Sequence, residues 1–182
     1  MSVGVCQEVI ISGFGGQGTL FAGQLLALAA LDAGRHVTWI PSYGPEMRGG
    51  KARCTVVVAD EEIGAPLVRR PSAAVVLNIP SMNAFEPEVK PDGVLVVNSS
   101  LVPRRSERTD IRVFHVPATE MAIELGDIRV ANTICLGVLA AATGVVSIDA
   151  VAEALDHHLP ERHRGVLDLN RAALKKGAEL VA

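Results

Sequence analysis

The residues with the clearest chemical potential are the glycines of one short segment near the amino terminus. Gly13, Gly15 and Gly18 follow the GxGxxG pattern, with Gly16 and Gln17 between them. Glycines allow a tight turn and a close approach of the backbone to a ligand, and the unpaired N–H groups at a helix start favour an anion by about 0.3 to 1 kcal/mol. The segment therefore indicates either a phosphate site or a purely structural strand-to-helix turn.

A nicotinamide dinucleotide is a poor candidate for the ligand of this segment. A dinucleotide-binding unit carries Asp or Glu at the end of its second strand, where the carboxylate holds the ribose. At the corresponding place, residues 39–42, this sequence reads Trp, Ile, Pro and Ser. The pattern therefore argues against NAD, whereas another phosphate-containing ligand stays open.

A second segment, SYGPEMRGG, follows the predicted second strand. Its candidate binding residues are Ser42, Tyr43, Arg48, Gly49 and Gly50. We expect them beside the glycine segment, at the carboxyl edge of the sheet, because ligands bind at that edge in α/β folds. An arginine there can hold a phosphate or carboxylate by paired hydrogen bonds, and the glycines allow close approach by a ligand or partner chain. The alternative is a surface loop whose arginine is solvated.

The three cysteines do not have the spacing of a metal site. Cys6, Cys54 and Cys135 are separated by dozens of residues, which fits neither a disulfide framework nor a CxxC clip. We therefore expect no iron-sulfur cluster, zinc or other metal to be bound by this chain.

Other candidates for acid-base chemistry have simpler interpretations. Glu46 is interpreted as an exposed loop carboxylate and His115 as a histidine of the core. His157 and His158 are adjacent on a predicted helix and point in different directions, and His163 follows a proline. Since no nucleophile is paired with a base, we expect no catalytic residue in this chain.

Apolar runs and punctuating residues predict alternating strands and helices. Strands are predicted at Gln7–Ser12, His36–Ile40, Ala52–Ala59, Ala73–Leu77, Val94–Asn98 and Val113–Val116. Helices are predicted at Gln17–Ala33, Pro80–Phe85, Thr119–Leu125, Ala131–Thr143, Ser147–Leu159 and Leu167–Ala182. We expect the first forty residues to form one βαβ unit. The whole pattern predicts an α/β fold of three α/β/α layers with a mostly parallel or mixed sheet, in which residues 1–182 form a single domain.

Composition excludes several classes of partner. The 182 residues are 49% hydrophobic and carry a net charge of -3, so no electrostatic field attracts nucleic acid. The longest apolar stretch, Thr19–Leu31, is too short to cross a bilayer of about 30 Å. The amino terminus lacks the basic region of a secretory signal. We therefore expect a cytoplasmic protein without nucleic-acid or membrane partners.

The two glycine-bearing segments, in this order and spacing, together with Asn132, Leu136 and Gly137, resemble the gamma subunit, or domain III, of the 2-oxoacid:ferredoxin oxidoreductases. The resemblance covers nearly the whole chain and includes Asn170 and Ala173 of the last predicted helix. The RGG ending of the second segment is more similar to the 2-oxoglutarate branch than to the pyruvate branch.

The resemblance implies a role in a larger enzyme. That enzyme decarboxylates a 2-oxoacid on thiamine diphosphate, passes electrons through iron-sulfur clusters to ferredoxin, and transfers the acyl group to coenzyme A. The partners would be alpha, beta and ferredoxin-type delta subunits, and this chain alone would hold no cofactor. It would support assembly and help to receive coenzyme A at both segments and Asn132, with 2-oxoglutarate favoured as substrate and pyruvate or a branched-chain oxoacid next.

Two alternatives stay open. The chain could be a free-standing nucleotide- or coenzyme A-binding protein. It could also be a purely structural subunit, in which the glycines allow close packing against another chain and no ligand binds.

Overall fold

The computed structural model describes residues 6–44, 50–159 and 161–182. The strands are β1 (Cys6–Phe14), β2 (His36–Tyr43), β3 (Lys51–Ala59), β4 (Ala73–Val76), β5 (Val94–Asn98) and β6 (Arg112–Val116). The helices are α1 (Thr19–Asp32), α2 (Ile79–Phe85), α3 (Ala118–Leu125), α4 (Ala131–Thr143), α5 (Ile148–His158) and α6 (Leu167–Glu179). Short 3-10 turns at Ile128–Val130 and Glu161–Val166 precede α4 and α6. Among the helices of the described residues, none is both long and apolar enough to cross a membrane.

The six strands form one sheet in the order β2-β3-β1-β4-β5-β6. From β1 through β4 and β5 to β6 the pairings are parallel, whereas β3 runs antiparallel to both of its neighbours. Ile11, near the middle of β1, pairs with Cys54 of β3 and with Val75 of β4. The predicted mixed, mostly parallel sheet is confirmed. The βαβ unit predicted for the first forty residues is split, because β3 is inserted between β1 and β2.

The sheet is covered unequally on its two faces. One face packs in the larger core against α1 and α4, with α3, α5 and α6 completing the helical side. On the opposite face α2 is the one described helix that contributes to the core, where Met82 packs with Ala74 and Val76 of β4 and with Leu95 and Val97 of β5. The predicted three-layer α/β/α fold is confirmed, although within the described ranges its second helical layer consists of one short helix.

Two glycines allow α6 to lie directly on α4. A Cβ atom added at Gly137 would overlap the carbonyl oxygen of Leu174, and one added at Gly177 would overlap that of Ile134. The helix backbones are therefore in contact. Near the amino ends of the two helices, Oγ1 of Thr133 donates a hydrogen bond to Oδ1 of Asn170 at 2.8 Å, which fixes their register.

The helix starts nearest to the glycine segment differ in their capping. Oδ1 of Asn78 accepts a hydrogen bond from the backbone N–H of Ser81 at 2.8 Å, and Pro80 occupies the first turn of α2. At the start of α1 stands Gly18, which has a left-handed φ of 72° and supplies no side-chain cap. Helix α1 begins at Thr19, two residues after the predicted start, because Gln17 belongs to a turn in which its N–H donates to the carbonyl oxygen of Phe14.

Candidate functional site

The conformation of the glycine segment is fixed by the side chain of Gln17. Its Oε1 accepts a hydrogen bond from the N–H of Phe14 at 2.6 Å, and its Nε2 donates to the carbonyl oxygen of Leu77 at 3.2 Å. A Cβ atom added at Gly13 would lie 2.5 Å from the same Oε1. Glycine is therefore required at position 13 to make room for Gln17, and Gln17 ties the end of β1 to the residue that follows β4.

The two segments singled out in the sequence meet at the carboxyl edge of the sheet. The N–H of Gly15 donates to the carbonyl oxygen of Gly50 at 2.9 Å, and Gly50 is buried. Because the N–H groups of Phe14 and Gly15 already have protein partners, they are not available to an anion. Arg48 and Gly49 lie outside the described residues, as does Glu46.

Gly18 packs against Asn132, at the start of α4. Nδ2 of Asn132 donates to the carbonyl oxygen of Gly18 at 2.9 Å, and Oδ1 accepts from the N–H of Thr133 at 2.9 Å. A Cβ atom at Gly18 would overlap Nδ2 of Asn132, whereas one at Gly16, whose φ is 96°, would meet nothing within 4 Å. Asn132 thus joins α4 to the start of α1.

A cleft of about 440 Å³ lies on the helical side of the glycine segment, and we call it the α1-side cleft. It is defined by Gly16, Gly18, Phe21, Gln24, Leu25, Leu28, Asp127, Arg129, Val130, Asn132, Leu155, His158, Leu159, Val166 and Asn170. Several of its polar groups are bonded within the chain: the guanidinium of Arg129 pairs with Asp127 at 2.5 Å, and Nε2 of His158 lies 2.8 Å from Oδ2 of Asp32. Most of its wall is apolar.

A second space of about 320 Å³ lies on the opposite face of the sheet, beside α2, and we call it the α2-side cavity. It is defined by Ser12, Gly13, Phe14, Ser42, Tyr43, Gly44, Lys51, Arg53, Asn78, Pro80, Ser81, Ala84 and Phe85. Helix α1 leaves β1 on one face of the sheet, and α2 leaves β4 on the other. The α2-side cavity is therefore at the topological switch point between β1 and β4, where ligands of open α/β sheets bind.

The α2-side cavity contains three polar groups that the sequence interpretation missed. Lys51 and Arg53 are exposed, and neither has an ion pair within the described residues. Asn78 is only 4% exposed, and its Nδ2 has no hydrogen-bond partner there. A signal existed in the sequence, since Asn78 directly follows the apolar run of β4 and the two cations alternate with buried residues of β3.

The predicted site residues are thus divided between the two spaces. Gly13, Ser42 and Tyr43 line the α2-side cavity, and Gly16, Gly18 and Asn132 line the α1-side cleft. The backbone between the two spaces is held by the hydrogen bond from Gly15 to Gly50 and by the side chain of Gln17.

The thiols and His115 show no arrangement for catalysis or metal binding. Cys54 and Cys135 are fully buried, and burial raises the pKa of each thiol to about 12, whereas Cys6 is exposed. Partial burial, with a smaller contribution from the charge of Arg105, lowers the pKa of His115. The described residues contain no group of three or more His, Cys, Asp or Glu side chains that could hold a metal ion. These residues therefore do not fit an iron-sulfur cluster.

Two relatives show a similar sequence at different lengths. The ketoisovalerate oxidoreductase subunit VorA of Methanothermobacter thermautotrophicus is 39% identical over 174 residues, which cover 94% of this chain and 36% of that protein. This chain therefore spans about a third of the length of that relative. The 2-oxoglutarate synthase subunit KorC of Methanothermobacter marburgensis is 38% identical over 182 residues, and the match covers 96% of each chain.

A solved structure and a family match agree with these relatives. The gamma subunit of the keto/oxoacid ferredoxin oxidoreductase from Geobacter sulfurreducens is 32% identical and superimposes with a TM-score of 0.81, over 96% of this chain and 98% of that one. The sequence model of the family described as Pyruvate ferredoxin/flavodoxin oxidoreductase matches residues 8–180. The resemblance to gamma subunits found in the motifs is confirmed, and the chain belongs to the pyruvate ferredoxin/flavodoxin oxidoreductase family.

Proposed function

We propose that this chain is the gamma subunit of a cytoplasmic 2-oxoacid:ferredoxin oxidoreductase, with residues 1–182 as one gamma-type domain. The observation that carries the proposal is the correspondence in length with relatives that are themselves named as subunits. The match covers 96% of KorC and 98% of the Geobacter gamma subunit, whereas the longer ketoisovalerate subunit contains its counterpart as about a third of its length. The chain is therefore one component of an enzyme that other subunits complete.

The complete enzyme would convert a 2-oxoacid and coenzyme A to acyl-CoA and carbon dioxide, with the electrons passing to ferredoxin. Alpha, beta and ferredoxin-type delta subunits would hold thiamine diphosphate and the iron-sulfur clusters. The chemistry of the described residues supports this division, because Cys54 and Cys135 are enclosed in the core with raised pKa values and no metal-binding group is present among those residues. This chain would contribute to assembly and to the binding of coenzyme A.

Coenzyme A would approach along the carboxyl edge of the sheet, where the two segments meet. Gly13, Ser42 and Tyr43 would contact it from the α2-side cavity, with Arg48 as a further partner of its phosphates. Gly15 and Gly50 would fix the conformation of that edge through their backbone hydrogen bond. Replacing Arg48 by alanine is expected to raise the KM of the assembled enzyme for coenzyme A while the KM for the 2-oxoacid stays constant. An unchanged KM for coenzyme A would remove Arg48 from the proposed site.

The decisive test is purification of the chain from its native cell under conditions that preserve complexes. We expect subunits that bind thiamine diphosphate and iron-sulfur clusters to co-purify, together with reduction of a viologen dye that depends on both a 2-oxoacid and coenzyme A. The relatives named for 2-oxoglutarate and ketoisovalerate are 38% and 39% identical, so both oxoacids and pyruvate are compared. We expect 2-oxoglutarate to give the highest rate. A chain that is recovered alone and inactive would contradict the proposal.

A purely structural gamma subunit is the second candidate. It is favoured by the packing roles of Gly18, Gly137 and Gly177, each of which faces an atom of another element with no room for a side chain. Under this alternative the assembled enzyme would be active, but no substitution at the carboxyl edge of the sheet would change its KM for coenzyme A.

A further inference from the structure

The sheet ends in β2 on one side, and this edge strand is protected against further pairing. In an antiparallel ladder, alternate residues bond to the neighbouring strand, and the residues between them turn their backbone groups outward. The N–H of Gly44, directly after β2, donates to the carbonyl oxygen of Lys51 on β3 at 2.8 Å, so the outward residues of β2 have odd numbers and include Pro41. Because proline has no N–H, it interrupts the row of hydrogen-bonding groups at this edge.

Strand β6, at the opposite edge of the sheet, has no such interruption. The N–H of Arg112 and the carbonyl oxygen of Val116 are bonded to the residues that flank β5, at 2.9 and 2.8 Å. Since these two residues turn towards β5, the alternation of the ladder turns Val113 and His115 towards the open edge. The backbone N–H and C=O groups of Val113 and His115 have no hydrogen-bond partner within the described residues.

The side chains in the middle of β6 suit contact with another strand. Phe114 is half-buried and packs against the larger core on the helical face of the sheet. Val113 packs on the other face, with the core beside α2. His115 shares the face of Val113, and partial burial, with a smaller contribution from the charge of Arg105, lowers its pKa, so its side chain is neutral at pH 7. The three central residues are therefore uncharged and only half covered by their own chain.

The outward groups of β6 are self-complementary about Phe114. If a second β6 lies antiparallel with its own Phe114 opposite this one, Val113 of each chain faces His115 of the other. Residues that face each other in this way exchange two N–H···O bonds, so this register satisfies the free backbone groups of both chains. The two Phe114 residues then form a pair without hydrogen bonds, in which Cα atoms approach to about 4.5 Å and side chains are in close contact.

We propose that β6 is an interface between two copies of this chain, which pair antiparallel about a two-fold axis at Phe114 and join their sheets into one. The outward groups, the aromatic residue at the axis and the uncharged centre are all matched by the same strand in reverse, which favours a second copy over a strand of another protein. Arg112, the charged residue at the start of β6, would face Val116 of the partner and not the partner's arginine. Its guanidinium already donates to the carbonyl oxygen of Ala142 at 2.6 Å. The inference goes beyond the proposed function, since an enzyme that contains this contact holds two copies of the chain.

The first variant, Val113→Pro, removes an outward N–H from each copy. The ladder to β5 stays intact, because this N–H faces away from β5. The matched control is Val37→Pro, which changes an outward-facing and partly buried valine of the β2 edge. Sedimentation equilibrium of the full-length chains measures the Kd of the dimer. Two backbone hydrogen bonds are lost per dimer, so Val113→Pro is expected to raise the Kd about tenfold or more, whereas the control stays within about twofold.

A second variant tests the register of the two strands. It is made in a chain whose exposed Cys6 is replaced by serine, because Cys54 and Cys135 are buried. Phe114→Cys places two thiols across the axis with Cα atoms about 4.5 Å apart, within the range of about 4.4 to 6.8 Å that a disulfide spans. Arg112→Cys is the control on the same face, where the two thiols would be about 14 Å apart. Oxidation is expected to cross-link the first variant and not the second.

The inference is overturned if the chain sediments as a monomer, if Val113→Pro leaves the Kd of the dimer unchanged, or if Phe114→Cys does not cross-link to itself. Oxidation of the purified complex that carries Phe114→Cys separates this failure from a failure of the proposed function. A cross-link between two copies of this chain supports the interface. A cross-link from this position to another subunit contradicts the interface and leaves the gamma-subunit assignment intact. A chain that enters no complex contradicts the assignment, and sedimentation of the isolated chain then decides about the interface.

Discussion

The α1-side cleft and the α2-side cavity flank the same glycine segment and differ in how far the protein satisfies its own polar groups. On the cleft side, Asn132 and Asn170 have protein partners and Arg129 is paired with Asp127. On the cavity side, the ammonium group of Lys51 has no ion pair and Nδ2 of Asn78 has no hydrogen-bond partner within the described residues. A GxGxxG pattern and the capacity to bind an anion can therefore be separated, because here the glycines mainly serve packing.

The largest expected effect tests the packing role of the glycines. Gly18→Ala should lower the free energy of unfolding by about 3 kcal/mol, since a left-handed alanine costs about 1 to 2 kcal/mol and its Cβ also meets Asn132. Gly16→Ala has a positive φ as well but open space around it, and should cost only about 1 kcal/mol. Denaturant unfolding of both variants measures the difference. Equal losses would show that only backbone conformation, and not packing on Asn132, requires the glycine.

The next effect concerns Asn132, which the sequence interpretation places among the binding residues. Asn132→Asp keeps the acceptor for the N–H of Thr133 but sets a charged oxygen against the carbonyl oxygen of Gly18, so we expect a loss of about 2 kcal/mol. The KM of the assembled enzyme for coenzyme A should stay constant. A raised KM at unchanged stability would indicate that the ligand binds in the α1-side cleft and not in the α2-side cavity.

A smaller loss is expected at Gln17. Gln17→Glu keeps the acceptor for the N–H of Phe14 and removes the donor to the carbonyl oxygen of Leu77, which should cost about 1 kcal/mol. Gln24→Glu, at an exposed position on the rim of the α1-side cleft, is the matched control and should change stability by less than about 0.5 kcal/mol. If both variants unfold at the same denaturant concentration, Gln17 does not tie β1 to the end of β4.

The smallest effect, measured at pH 9, reports on the thiols beneath the helical face. Burial raises the pKa of Cys54 and Cys135 from 9.0 to about 12, so the folded protein favours the neutral thiols. This stabilisation is fully present below pH 9 and is lost as the pH rises towards 12. At pH 9 the loss is about 0.4 kcal/mol for each thiol, and unfolding free energies measured across this range should decrease.

A chemical measurement checks the same burial. A thiol reagent at pH 8 should modify Cys6 alone in the folded chain, because Cys6 is exposed. Modification of Cys54 without unfolding would show that the packing of β3 beneath the start of α1 opens readily.

Much of the fold could be predicted because its elements are locally encoded. The apolar runs of β4 and β5 and the glycine that ends α4 lie within a few residues of the boundaries they determine. The insertion of β3 between β1 and β2 could not be predicted, because the order of strands depends on pairings between distant residues. The predicted start of α1 is wrong for a local reason. Glutamine has a high helix propensity, but Gln17 occupies a turn.

The candidate site was predictable only where it is continuous in the sequence. The glycine segment is continuous in this sense, and so is the segment that ends at Gly50 and contacts it. Lys51 and Asn78 were missed because they come together only when β4 joins β1 and α2 leaves the sheet on the face opposite α1. Asn132 shows a different difficulty of prediction. The resemblance suggests it as a binding residue, but both polar atoms of its amide are hydrogen-bonded within the chain.

The insertion of β3 between β1 and β2 also bears on the order in which the chain folds. The β2–β3 hairpin is local, whereas the junction of β1 with the end of β4 joins residues 60 positions apart. Contacts that are distant in sequence form late, because the entropy of closing the loop opposes them until other structure is present. We expect β1, although it precedes the other described strands in the sequence, to be among the last to acquire both of its neighbours.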